Sequence, residues 1–148
     1  MTLSDAFDGV ARLFLDTAPV IYYVERNPAY LDIVDGAFRH IDQMMLSAVT
    51  SSVTLAECLV YPIRQQDTAL QQDFVDLITA GSNTQFVVID QSIAQTAAEM
   101  RARYNLLLPD AFQVAAALAS GCDALLTNDR GIARVTELRI LILDDLTL

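Results

Sequence analysis

Five short apolar runs, at residues 13–15, 45–49, 86–89, 124–127 and 139–143, alternate with longer stretches in which apolar residues recur every three or four positions. The runs are too short for helices and largely continuous, so they read as strands buried on both faces. The stretches at 20–25, 29–43, 53–61, 68–80, 92–104 and 109–119 read as amphipathic helices. Ser120-Gly121 stops the last of them. Pro109 suits its first turn, where the missing N–H has no intrahelical partner to lose. Strand and helix in alternation imply right-handed crossovers and a three-layer α/β/α sandwich around a mainly parallel five-stranded sheet. In such a sheet the functional crevice lies beyond the carboxyl ends of the strands. With 148 residues and no repeat or linker, the chain reads as a single domain over 1–148, with 1–12 an N-terminal extension.

Composition removes several chemistries. All nine basic residues are Arg, and the absence of Lys excludes a P-loop lysine or a Schiff base. The single His, His40, leaves little for a catalytic triad or a multi-His zinc site. Cys58 and Cys122 lie in apolar stretches without a metal-binding spacing, and read as buried thiols of a reducing compartment. The N-terminal segment lacks the basic region of a signal peptide. No apolar run approaches the ~18 residues a membrane span needs. These features predict a soluble cytoplasmic protein. Nine basic residues against nineteen acids give a net charge of −10, which argues against broad, non-specific nucleic-acid or membrane binding.

Most acids fall on polar faces or at helix caps. Four stand elsewhere. Asp16 follows Leu13-Phe14-Leu15 directly, at a strand's carboxyl end, where it also suits a helix N-cap. Glu57 is the only charge between Val53 and Ile63, where an unpaired carboxylate faces a desolvation cost. Asp110 opens the last long helix with Val114 and Ala117 on its own face. Asp129 follows Ala124-Leu125-Leu126-Thr127-Asn128, again at a strand's end. The topology brings all four to one rim. Carboxylates gathered out of water either take up protons or hold a cation. Oxygen ligands alone suit a hard dication, Mg²⁺ or Mn²⁺.

At these residues the chain resembles the PIN-domain nucleases, in particular VapC-type toxins of bacterial toxin–antitoxin pairs. The matching segments are Phe14-Leu15-Asp16-Thr17, Ser52-Val53-Thr54-Leu55-Ala56-Glu57, Leu108-Pro109-Asp110-Ala111 and Leu126-Thr127-Asn128-Asp129-Arg130, in the family's order. The resemblance implies a Mg²⁺- or Mn²⁺-dependent endoribonuclease that leaves a 5′-phosphate and a 3′-hydroxyl, is silenced by a cognate antitoxin and forms a homodimer. Carried over by position, Asp16, Glu57, Asp110 and Asp129 are the catalytic acids. Asp16, Asp110 and Asp129 are the metal ligands, and Thr127, Thr17 and Ser52 are supporting hydroxyls. RNA phosphates need local cations on so acidic a protein. Arg101, Arg103 and Arg130 flank the acids in sequence and are the candidates.

Other families with a strand ending in Asp fit less well. A haloacid-dehalogenase-type phosphatase wants a second Asp where Ala18 stands, and both that family and receiver domains want a Lys. A non-catalytic PIN-like interaction module is the alternative of a different kind; metal-dependent RNA cleavage separates the two.

Overall fold

The computed structural model describes residues 1–148. Five strands form one fully parallel sheet: β1 (Arg12–Leu15), β2 (Ser47–Ser51), β3 (Thr84–Val87), β4 (Ala124–Thr127) and β5 (Arg139–Ile142), in the spatial order β3-β2-β1-β4-β5. The α/β/α sandwich expected from the alternation of runs is the fold observed. On β1 and β4, successive side chains enter opposite layers, as period-two geometry requires. Leu13, Leu15, Ala124 and Leu126 join one buried cluster, Phe14 and Leu125 the other. The first cluster is completed by α1 (Leu3–Ala6), α2 (Thr17–Val24), α3 (Leu31–Asp42), α4 (Ser52–Arg64) and α5 (Thr68–Ala80). The second is completed by α6 (Gln91–Tyr104) and α7 (Leu108–Ala119).

Boundaries differ from the sequence reading where polar residues are buried or apolar ones are not. The run 45–49 begins too early: Met44 takes a left-handed turn (φ 60°), and Met44 and Met45 are exposed. It also ends too early, because β2 continues through Thr50 and Ser51. Thr50 is buried without penalty, since its hydroxyl donates to the Ile78 carbonyl at 2.7 Å. At β3 the reading 86–89 is shifted; Thr84 and Gln85 pair with Ala48 and Val49, while Val88 is exposed past the strand's end. Helix α4 runs beyond 61 to Arg64, with Pro62 buried inside its last turn. Helix α2 begins at Thr17, three residues before the expected 20.

The N-terminal residues are part of the packing. Leu3, Ala6, Phe7 and Val10 belong to the first core cluster. The backbone of Leu3 donates to the Thr147 carbonyl at 2.7 Å, and that of Thr147 donates to the Met1 carbonyl at 3.0 Å. Gly36 in α3 makes room for this contact, because a Cβ there would stand 2.8 Å from Leu3 Cδ2.

Candidate functional site

Beyond the carboxyl ends of β1 and β4 lies an open cleft of about 480 Å³. Asp16, Glu57, Asp110 and Asp129 all line it, together with Thr17, Thr127 and Arg130 among others. Each arrives for a local reason. Asp16 and Asp129 are the residues at which β1 and β4 give way to the next turn, Glu57 comes from the second turn of α4, and Asp110 from the first turn of α7.

Asp16 is the most deeply set, 6% exposed. It stands at the N-cap position of α2, yet its side chain makes no capping bond. Both carboxylate oxygens are used elsewhere: Oδ2 accepts from the Thr127 hydroxyl at 2.7 Å and Oδ1 from Gln113 Nε2 at 3.2 Å. Burial raises its pKa above the ordinary value, against the pull of those hydrogen bonds. Asp110 is half-buried, and its pKa is pushed up to about 7. Burial is the main cause, followed by a hydrogen bond shared with Asp129 and the charges of Asp129, Asp16 and Glu57. Asp129 is exposed; its Oδ1 accepts from Gly131 N at 2.8 Å, and its own N–H donates to Thr127 Oγ1 at 3.0 Å. Thr127 thus ties Asp16 to Asp129.

Glu57 departs from the sequence argument. It is exposed, because the outer face of α4 (with Val60 and Tyr61) meets solvent, so the desolvation cost expected of it is absent. What positions it is Thr17, whose hydroxyl donates to Glu57 Oε1 at 2.7 Å. Ser52 points to the neighbouring strand, its hydroxyl 3.4 Å from the Val87 carbonyl. Its neighbour Ser51 is the buried one, capping α4 through Val53 N at 3.1 Å and donating to Gln113 Oε1.

Gln113 was not singled out from the sequence. It is fully buried on α7, donates to Asp16 and to Thr54 Oγ1 (2.7 Å), and accepts from Ser51. The signal was a lone amide in Ala111-Phe112-Gln113-Val114-Ala115, a residue type that helix interiors bury only with partners. Tyr22 also lines the cleft, stacked on Tyr30 with ring centroids 4.2 Å apart.

Of the three arginines expected to meet phosphate, only Arg130 reaches the cleft, and it is paired with Asp145 at 2.8 Å. Arg103 is paired with Glu137 at 2.7 Å, and Arg101 donates to the Leu106 carbonyl. No group of three or more His, Cys, Asp or Glu side chains forms a ready-made metal cage as placed. The donor set nevertheless suits a hard cation. It is all oxygen, and its two innermost carboxyls carry raised pKa values, the sign of negative charge wanting either protons or a metal.

The family model described as PIN domain matches residues 13–138. No curated protein matches the chain by sequence. Among solved structures, the chain is similar to VapBC2 from Rickettsia felis bound to a promoter DNA fragment, with a TM-score of 0.70 at 15% identity, covering 88% of this chain and 98% of that one. It is similar to FitAcB from Neisseria gonorrhoeae, with a TM-score of 0.69 at 18% identity over 90% and 99% of the two chains. It is also similar to VapC20 from Mycobacterium tuberculosis, described as a Sarcin-Ricin loop cleaving toxin, with a TM-score of 0.68 at 15% identity over 86% and 98%. At such identities these likenesses speak for the fold alone. The family match spans most of the chain and takes in all four cleft carboxylates, and on that ground the chain belongs to the PIN domain family.

Proposed function

We propose that this protein is a divalent-metal-dependent endoribonuclease and the toxin half of a toxin–antitoxin pair. The observation that carries the reading is the meeting of Asp16, Glu57, Asp110 and Asp129, from four separate segments, in one cleft. The likeness to VapC20, a Sarcin-Ricin loop cleaving toxin, and to a toxin–antitoxin complex from Klebsiella pneumoniae supports it.

Asp16, Asp110 and Asp129 would hold Mg²⁺ or Mn²⁺. The bound ion supplies charge neutralisation at the scissile phosphate and lowers the pKa of water there. The chain's own groups do the rest. Thr17 fixes Glu57 through Oε1, leaving Oε2 to take a proton from the attacking water. Water adds to phosphorus, the bond to the 3′-oxygen breaks, and that oxygen takes up a proton from solvent water. The products are a 5′-phosphate and a 3′-hydroxyl. Thr127 and Gln113 orient Asp16 by its two oxygens. An acidic cleft also attracts a basic side chain, which is how an antitoxin would block it. A homodimer and a cytoplasmic setting belong to the same reading, the latter in keeping with two free, buried thiols.

The deciding experiment incubates metal-stripped protein with a single-stranded RNA oligonucleotide, before and after adding Mg²⁺ or Mn²⁺. Cleavage only after addition is expected. Absence of cleavage with either ion overturns the proposal.

Gln113→Leu tests the support beneath Asp16. Loss of a partner that orients a metal ligand costs about 10–100-fold in activity. The Ser51 and Thr54 hydroxyls lose their common partner, which costs about 1–3 kcal/mol of stability. Cleavage rates and thermal melts read both; an unchanged rate would show that Gln113 is packing only.

A further inference from the structure

Asp110 and Asp129 line two cavities, not one. Besides the main cleft they border a side cavity of about 240 Å³, so the pair forms the ridge where the two spaces meet. Arg134 lines the side cavity with Asn105, Leu107 and Gly131. It sits on the same 3₁₀ turn, Arg130–Arg134, that Asp129 caps. It forms no ion pair: those of this protein are Arg26–Asp35, Arg103–Glu137 and Arg130–Asp145. Its Nη1 donates to the Tyr104 carbonyl at 2.9 Å. That bond orients the guanidinium without cancelling its charge, and leaves other N–H groups free for a ligand.

An RNA strand whose scissile phosphate rests on the ridge extends into both cavities. On a chain of net charge −10, a cation beside the acids that no ion pair holds is what a phosphate needs. We propose that the side cavity is a phosphodiester subsite in which Arg134 binds the backbone next to the bond that is cut. This rests on the nuclease reading and extends it by naming the residue that holds the substrate. A planar guanidinium grips a phosphate with two parallel hydrogen bonds, which suits an open pocket of this size.

Salt dependence provides the test. A labelled single-stranded RNA oligonucleotide is titrated with the Asp16→Asn protein in Mg²⁺ at several salt concentrations. Arg134→Gln, added to that background, removes the charge while keeping a donor for the Tyr104 carbonyl. The slope of log affinity against log salt is expected to fall by about 0.7, the loss of one phosphate contact on a single strand. Arg134→Lys is expected to retain the slope. Arg39→Ala, in the last turn of α3 and outside the lining of both cavities, is expected to leave it unchanged. In the active protein Arg134→Gln is expected to raise KM with little change in kcat, the mark of uniform binding. An unchanged slope in Arg134→Gln overturns the subsite while cleavage by the parent leaves the nuclease reading standing. A parent that neither cuts nor binds the oligonucleotide overturns both.

Discussion

Replacing Asp16 by Asn is expected to abolish RNA cleavage and to leave the fold at least as stable as before. Asp16 lies deepest of the four acids and is held by two donors. Asn keeps the shape. Its oxygen accepts from Gln113 as before, and its amide donates to Thr127, whose hydroxyl can reverse its role. The buried negative charge, disfavoured by desolvation and by Asp129, disappears. Removing one member of a repelling group therefore costs the fold nothing of its packing. On the proposed nuclease reading catalysis loses a metal ligand, so the rate should fall well beyond the roughly 100-fold that loss of a supporting hydrogen bond costs. Initial rates with purified protein and a melt on the same sample give both numbers. A variant that cuts RNA as fast as its parent removes Asp16 from the chemistry; one that does not fold is answered by Asp110→Asn, which changes a less buried carboxyl.

Stripping the metal is expected to stop cleavage and to make stability depend on pH in an unusual direction. The folded protein holds the Asp110 proton up to about pH 7, whereas an ordinary Asp releases it near 3.8. Between those values the folded state binds more protons than the unfolded one, so stability falls as pH rises. Asp16 is shifted the same way. Asp123, Glu137 and Asp145 are shifted downwards, so their contribution is lost only below the ordinary carboxylate range and does not oppose the trend between pH 5.5 and 8. The metal-free protein should accordingly melt higher at pH 5.5 than at pH 8. Adding Mg²⁺ should narrow the difference, since the ion competes with protons for the same oxygens. At 10 to 100 times its Kd the ion adds roughly 1.4–2.7 kcal/mol. For a chain of this length that is a rise of roughly 3–10 °C at pH 8, and less at pH 5.5. Calcium at equal strength controls for screening. A melt that ignores both Mg²⁺ and Mn²⁺ at pH 8 counts against the cation site.

The parallel sheet could be read from the chain because its central strands β1 and β4 are covered on both sides and so write themselves as nearly unbroken apolar runs. The strand-end positions of Asp16 and Asp129 followed from the same runs. The strand limits at 47 and 51 could not be read, because Thr50 and Ser51 owe their burial to partners from α5 and α7 that no local pattern announces. Glu57 differs from what its apolar neighbours imply for the converse reason: the helix stretch around it is apolar, yet its outer face is open to solvent. Gln113 and the arginine pairings were invisible for a shared reason. Arg103 meets Glu137 across 34 positions and Gln113 meets Asp16 across 97, and only the folded topology sets such partners.

The same topology has a consequence for synthesis. Thr127 reaches Asp16 across 111 positions, and β4 must pair beside β1 before the two can touch. A growing polypeptide releases Asp16 from the ribosome early and Asp129 late, and β5, which flanks β4, later still. A nascent chain thus carries Asp16, Glu57 and Asp110 well before the cleft that gathers them with Asp129 can form.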